Sequence, residues 1–233
     1  MTLLSPRLTV VADIIPVSGC VADIGSDHGL LSVYLIQKKI AQKVIAVEKA
    51  AGPAAATRRA VAAAGLTGRI EVRSGEGLSP LAEGEVEVIV IAGMGGETIA
   101  GILAAGTSVA RAARLVVAQP MNRVAFLRRW LTQNGWRIHE EGLAKERTRV
   151  YQVIAAVPGT GRELNWMEEE LGPRLLASSH PLLKELAARL LQYYERKAAG
   201  LSRASRTVQS GAGDLAELGR RCEQLRAYLK DEG

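Results

Sequence analysis

Between Cys20 and Val157 the chain alternates short β-branched runs with Ala/Leu-rich stretches of helical periodicity, the pattern of βαβ units around a parallel sheet. The spacing predicts strands over Cys20–Gly25, Lys43–Glu48, Arg69–Arg73, Val86–Ala92, Arg114–Ala118, Trp136–Leu143 and Val150–Val157. Helices are predicted near Gly29–Lys38, Pro53–Ala64, Glu97–Ala105 and Arg123–Asn134, with a leading helix signalled by Ser5 as N-cap and Pro6 in the first turn. Only a turn around Lys145–Thr148 separates the last two strands, too little chain for a crossover, so they pair antiparallel. The expected fold is an α/β, Rossmann-like sheet of five parallel strands ending in an antiparallel hairpin. That order departs from the dinucleotide-binding dehydrogenases, whose second half continues in parallel.

Pro158-Gly159-Thr160-Gly161 reads as a linker, and no strand-like run follows it. After Pro181, Leu183, Leu186, Leu190 and Tyr193 recur at spacings of three and four. Leu215, Leu218, Cys222, Leu225 and Leu229 repeat the rhythm, opened by Asp214 and Glu217 in a variant of the capping box. A Gly/Ser-bearing connection from Gly200 to Gly213 joins the two segments, which predicts an antiparallel helical hairpin. Helices of this length are marginal alone and need a packed partner. The predicted division is a sheet domain over residues 1–158 and an all-α, coiled-coil-like hairpin over residues 159–233.

Composition removes several classes. With 233 residues, 48% of them hydrophobic and 23% charged, the chain is neither disordered nor collagen-like. Cys20 and Cys222 stand far apart with no CxxC or Cys/His spacing, so no metal site and no disulfide framework is expected. No apolar run is long enough for a membrane span, and Pro6, Arg7 and Asp13 interrupt the N-terminal apolar stretch; a cytoplasmic protein is expected. A Ser/His/Asp hydrolase lacks its GxSxG elbow. The net charge of +6 is uneven: residues 1–159 carry 18 basic and 13 acidic side chains, the remainder 12 and 11. A polyanionic partner would therefore meet the sheet domain, and the near-neutral hairpin reads as a shape-recognising arm.

The chemistry concentrates at the predicted strand ends. In Val21-Ala22-Asp23-Ile24-Gly25-Ser26-Asp27-His28-Gly29 a buried strand runs through a glycine turn into a helix, with Gly25 and Gly29 spaced unlike GxGxxG. Asp27 occupies the place where a dinucleotide's pyrophosphate would rest, and a carboxylate there repels it. A ligand with positive charge and no phosphate suits the loop better, and S-adenosylmethionine is one: Asp23 can accept from its ammonium group. Helix capping by Asp23 and Asp27 is the alternative. Glu48 closes the second strand at about the interval where an acidic side chain meets ribose hydroxyls. Ser74-Gly75-Glu76-Gly77 brings a further carboxylate to the third strand end, where an adenine amino group could be met.

The fourth strand delivers Ile91-Ala92-Gly93-Met94-Gly95-Gly96 to the same sheet edge. It lacks the Asp/Asn-Pro-Pro-aromatic loop used to hold an exocyclic amine, which fits a target needing little proton removal. Met94 is equally readable as core. Gln119-Pro120-Met121-Asn122 ends the fifth strand, with turn chemistry as the competing reading.

These segments, together with Leu4-Ser5-Pro6-Arg7-Leu8 and the run Leu127-Arg128-Arg129-Trp130-Leu131 to Asn134-Gly135-Trp136, resemble the bacterial tRNA (adenine-22-N1)-methyltransferase family. The resemblance covers most of residues 4–157, and the trailing hairpin matches the family's layout. Glu76 stands where the family more often has Asp, and Met121 separates Pro120 from Asn122 where many members read Gln-Pro-Asn. The resemblance implies a class I methyltransferase fold with S-adenosylmethionine as cofactor and tRNA as partner; a monomer is expected, with dimerisation through the hairpin as the alternative. It implies cofactor binding by Asp23, Gly25, Ser26, Asp27, His28, Gly29, Glu48, Lys49, Gly75, Glu76, Gly77, Ala92, Gly93 and Met94. Asp27 and Asn122 are the expected catalytic residues. Arg7, Gln119, Pro120, Arg123, Arg128 and Arg129 are the expected substrate contacts, the arginines as phosphate binders.

Overall fold

The computed structural model describes residues 2–178, 180–204 and 212–230. Its first half runs α1 (Pro6–Ile14), β1 (Ser18–Ile24), α2 (Leu30–Gln37), β2 (Ala41–Glu48), α3 (Ala51–Ala63), β3 (Ile70–Ser74) and β4 (Val88–Met94). Then come α4 (Gly96–Ala105), α5 (Thr107–Ala112), β5 (Leu115–Pro120), α6 (Val124–Gln133), β6 (Trp136–Glu146) and β7 (Arg149–Pro158). Four helices close the described chain: α7 (Trp166–Leu171), α8 (Pro173–Leu176), α9 (Leu183–Ala204) and α10 (Ala212–Lys230).

The strands form one sheet in the order β3-β2-β1-β4-β5-β7-β6. β1 to β5 are parallel, and β7 lies antiparallel between β5 and β6. The expected sheet is thus present: the short β6–β7 turn makes these two strands antiparallel neighbours, and it is β7 that lies beside β5. Strand alternation sends Ile89 and Ile91 of β4 to one face and Val88 and Val90 to the other. The first face is covered by Ile99, Leu103, Leu127 and Leu131 of α4 and α6, the second by Val11, Leu35 and Val61 of α1, α2 and α3. Both faces being buried explains why the parallel strands read as continuous apolar runs.

Contacts divide the chain into two compact units, Met1–Ser178 and Ser179–Gly233. The expected boundary after residue 158 falls too early, because α7 and α8 belong to the first unit. The cause is Arg128 of α6, whose guanidinium donates to the Glu169 and Glu170 carbonyls and holds α7 against α6. The α7 helix carries a signal of its own, a capping box in which Asn165 and Glu168 exchange side-chain and backbone hydrogen bonds.

In the second unit α9 and α10 pair antiparallel, with Tyr194 beside Arg221 and Glu195 bonded to Arg226. Leu218, Cys222 and Leu225 are buried as the periodicity predicts. On α9 the buried seam runs through Leu183, Ala187 and Tyr194, whereas Tyr193 is exposed, so the spacing of four rather than three holds at that end. Asp214 lies inside the first turn of α10 rather than capping it. Half of the predicted connection from Gly200 to Gly213, residues 205–211, lies outside the described residues, and the rest belongs to the ends of α9 and α10. Among those described, no helix is long and apolar enough to cross a membrane.

Candidate active site

β1 and β4 are sheet neighbours whose chains leave toward opposite faces, into α2 and α4, and this divergence opens a crevice at their carboxyl ends. A cleft of about 400 Å³ lies there. Asp23, Gly25, Ser26 and Asp27 wall it from β1, Ala92, Gly93 and Met94 from β4, and Ser5, Arg7 and Leu8 from α1 and its approach. Leu30, Leu31 and Met121 complete it.

The loop after β1 is strained. Asp27, His28 and Gly29 are successive residues at φ +42°, +70° and +71°. Side chains with a Cβ avoid this region, at a cost of roughly 1–2 kcal/mol each. The Asp27 N–H is held by Glu48 Oε1 at 2.8 Å, and the Gly29 N–H by the Ser26 carbonyl. The Asp27 carboxylate stays exposed at the cleft wall, with His28 Nε2 3.6 Å away.

Behind this loop stand two buried carboxylates without a cation. Asp23, 2% exposed, accepts from the hydroxyls of Ser26 and Ser32, each at 2.7 Å. Glu48, 6% exposed, accepts from Asp27 N–H and from Thr57 Oγ1 at 3.3 Å. Burial raises both carboxyls above their ordinary pKa, opposed by these hydrogen bonds. A buried acid held only by neutral donors at a cleft wall fits a ligand that brings a positive charge, so the residues present suit S-adenosylmethionine.

The facing wall is built from β4 and β5. A bulge between Ala92 and Met94 takes Gly93 out of the ladder at φ +79°. Its N–H finds Gln119 Oε1 at 3.2 Å, and the same oxygen accepts from Arg7 Nη1 at 2.9 Å. Arg7 is also anchored by its backbone N–H to Glu146. Gly96 is required, because a Cβ would collide with the Arg123 carbonyl. A Cβ on Gly25 would meet the terminal methyl of the Met94 side chain, which lies across it, and Gly25 itself stands at φ +70°.

The expected residues thus separate. Those of the β1 and β4 ends converge on the cleft, with Arg7, except that His28 and Gly29 do not line it. Glu76 and Gly77 line a neighbouring hollow of about 480 Å³ against α4 and α5. Lys49 pairs with Glu76 at 2.5 Å on the exposed rim between the two strand ends. A Cβ on Gly75 would collide with Pro80, so that glycine serves the turn. Asn122 does not line the cleft; its carbonyl accepts from Gly96 N–H, and its side-chain oxygen lies against Gly95 in the loop after β4.

Several expected substrate contacts are corrected. Arg128 is fully buried and bonded to Glu141, Gln152 and two carbonyls, so it cannot meet a phosphate. Gln119 and Pro120 are buried too, and Gln119 acts through Arg7 and Gly93. Arg129 is half exposed but forked onto Glu169, and Arg123 is exposed beside Glu97 at 3.2 Å.

Sequence reasoning missed Ser32 and Thr57, each a lone buried hydroxyl residue in an otherwise apolar or alanine-rich helix. That isolation was the available signal. It also took Ser5 as a capping side chain. Its hydroxyl makes no cap bond and is the one buried side-chain polar atom without a partner among the described residues.

The parallel sheet with its antiparallel β7, and a charged-ligand cleft at the switch point, define a class I methyltransferase. A methyltransferase domain model matches residues 4–154. The Bacillus subtilis tRNA (adenine(22)-N(1))-methyltransferase is 38% identical over 67% of this chain and 66% of its own length. The solved Bacillus subtilis m1A22 tRNA methyltransferase TrmK superposes with a TM-score of 0.87 at 32% identity, covering 99% of this chain and 100% of that one. Streptococcus pneumoniae Sp1610, solved in complex with S-adenosyl-L-methionine, gives 0.82 at 29% identity over 97% and 100%. The chain belongs to the tRNA (adenine-22-N1)-methyltransferase family.

Proposed function

We propose that the protein transfers a methyl group to N1 of adenine 22 in tRNA, in the cytoplasm where that substrate resides. The observation that carries the reading is the match to the Bacillus subtilis enzyme across nearly the whole chain. The cleft supports it chemically. When bound, the cofactor supplies an electrophilic methyl group on a sulfonium centre. Adenine N1 has its own lone pair, so the protein need not remove a proton first; its task is positioning and electrostatic stabilisation. Asp23, already desolvated and free of any cation, receives the ammonium end. Gly25 and Gly93 add no side chain of their own to the floor between the walls, and the end of the Met94 side chain lies over Gly25. Asp27 is the one carboxylate exposed on the cleft wall, and it stabilises the positive charge that develops on the base or accepts from the adenine amino group. N1 lies on the pairing edge, so the base must leave its stack, at a cost of a few kcal/mol. Apolar Leu30 and Met121, both part-exposed at the cleft, offer it a face to rest on.

Labelled S-adenosylmethionine and tRNA transcripts test this directly. Incorporation should disappear when adenine 22 is replaced by guanine, and unchanged incorporation would refute the site. Asp27→Ala should cut turnover at least ~100-fold, about 2.7 kcal/mol, while cofactor affinity by calorimetry stays within ~10-fold. Undiminished turnover in that variant would remove Asp27 from the mechanism.

A further inference from the structure

The strained turn that presents Asp27 is held within the loop by Gly29 N–H on the Ser26 carbonyl and from outside it by Glu48. Of its three left-handed residues, Asp27 and His28 are side chains exposed to solvent, and Asp27 is tethered through its N–H to Glu48. Glu48 itself is fixed by Thr57 of α3, which is 0% exposed and donates its hydroxyl to the same Oε1 atom. The other branch of Thr57 meets the end of the turn: its Cγ2 would stand 3.1 Å from a Cβ on Gly29. One β-branched side chain therefore touches the turn from below and, through Glu48, holds its first amide. Because branching at Cβ stiffens χ1, hydroxyl and methyl are set together.

We propose that Thr57 is a positioning residue for methyl transfer, fixing the left-handed turn Asp27–Gly29 so that the Asp27 carboxylate stays at the cleft wall. The inference rests on the methyltransferase reading only for its effect on rate; the effect on the turn stands independently. It assigns Glu48 a second duty. Oε1 is committed to the turn, so any contact with a ribose falls to Oε2.

The test separates hydroxyl from methyl. Thr57→Val keeps the shape and deletes the hydroxyl; Thr57→Ser keeps the hydroxyl on a less constrained side chain. In Thr57→Val, hydrogen-exchange protection of the Asp27 amide should fall about tenfold, while that of Ala22 and Ile24 in β1 is unchanged. The single-turnover rate should fall about tenfold, with cofactor affinity held within about threefold, and Thr57→Ser should recover most of both. In an Asp27→Asn background, Thr57→Val should add no further loss of rate, because the two act through one group. Unchanged Asp27 protection in Thr57→Val would overturn the proposal. So would a loss confined to cofactor affinity, which would make Thr57 a support for ligand contact alone. If wild-type protein fails to methylate tRNA while the exchange result holds, the functional reading fails and the structural one stands.

Discussion

The first unit buries charge in two places, and they are built oppositely. Between α6, β6, β7 and α7, Arg128 donates to Glu141 at 2.6 Å, to Gln152 at 2.6 Å and to the carbonyls of Glu169 and Glu170. The second oxygen of Glu141 accepts from Arg174 N–H. This centre has almost no unused donor, and both ions are fully enclosed. At the carboxyl ends of β1 and β2, Asp23 and Glu48 are nearly as buried, yet only hydroxyls and amides face them. Burial is therefore no guide to purpose here, and saturation is. A saturated ion pair joins elements and binds nothing; an unsaturated acid waits for a charge from outside.

The largest test of that contrast removes Arg128. Arg128→Met leaves Glu141 buried without its cation, which should cost about 3–5 kcal/mol of stability in urea denaturation. Adding Glu141→Leu should restore a good part of the loss, since no ion then remains unpaired. Cofactor affinity of the folded fraction should be unaltered in either variant. A stability change under about 1 kcal/mol for Arg128→Met would show that the centre is not saturated in solution.

The same operation on the other side should act with opposite sign. The folded state holds the Asp23 carboxyl above its ordinary pKa. In the pH interval between the unfolded and folded values the folded chain binds the extra proton, so stability falls as pH rises through that interval, and the cost is complete above it. Asp23→Asn should therefore raise the thermal midpoint at pH 8, with the gain fading as pH falls through that interval and gone below about pH 4. It should also weaken S-adenosylmethionine about 10–100-fold, ~1.4–2.8 kcal/mol, for want of a charged acceptor. A variant that is both less stable and unimpaired in binding would place Asp23 with Arg128 as a structural ion.

This contrast marks where sequence reading succeeded and where it stopped. Strand ends carrying Asp23, Gly25, Asp27, Gly93 and Met94 were recognisable, because a parallel sheet sends its carboxyl-end loops to one edge whatever the side-chain detail. The antiparallel pairing of the last two strands followed from the length of one turn. Arg128 could not be told from a surface arginine, since helical position alone does not reveal that α7 folds over it. The short α7 and α8 lack the apolar run that periodicity needs, and α5 spans only six residues. Thr57 stood out only as a lone hydroxyl in an alanine-rich helix; what it does could not be read, because its two partners, Glu48 and Gly29, come from separate loops that only the sheet brings together.

The smallest effect asks whether saturation also sorts the arginines at the surface. Arg129 lays both Nε and Nη2 on Glu169, which is itself only 10% exposed, so its fork is already spent. Arg123 touches Glu97 by a single 3.2 Å contact, both side chains being more than half exposed. An exposed pair of that kind contributes about 0–1 kcal/mol and is easily exchanged for another anion. Arg123→Ala should then weaken tRNA binding a few-fold at low salt and flatten the plot of log affinity against log salt by ~0.7–0.9, the value of one phosphate. Arg129→Ala should leave that slope within error, because releasing Glu169 removes no contact to the RNA. Equal slopes for the two variants would mean that ion pairing within the protein does not decide which arginine is free for a phosphate. The rule drawn from Arg128 and Asp23 would then hold for buried charge only.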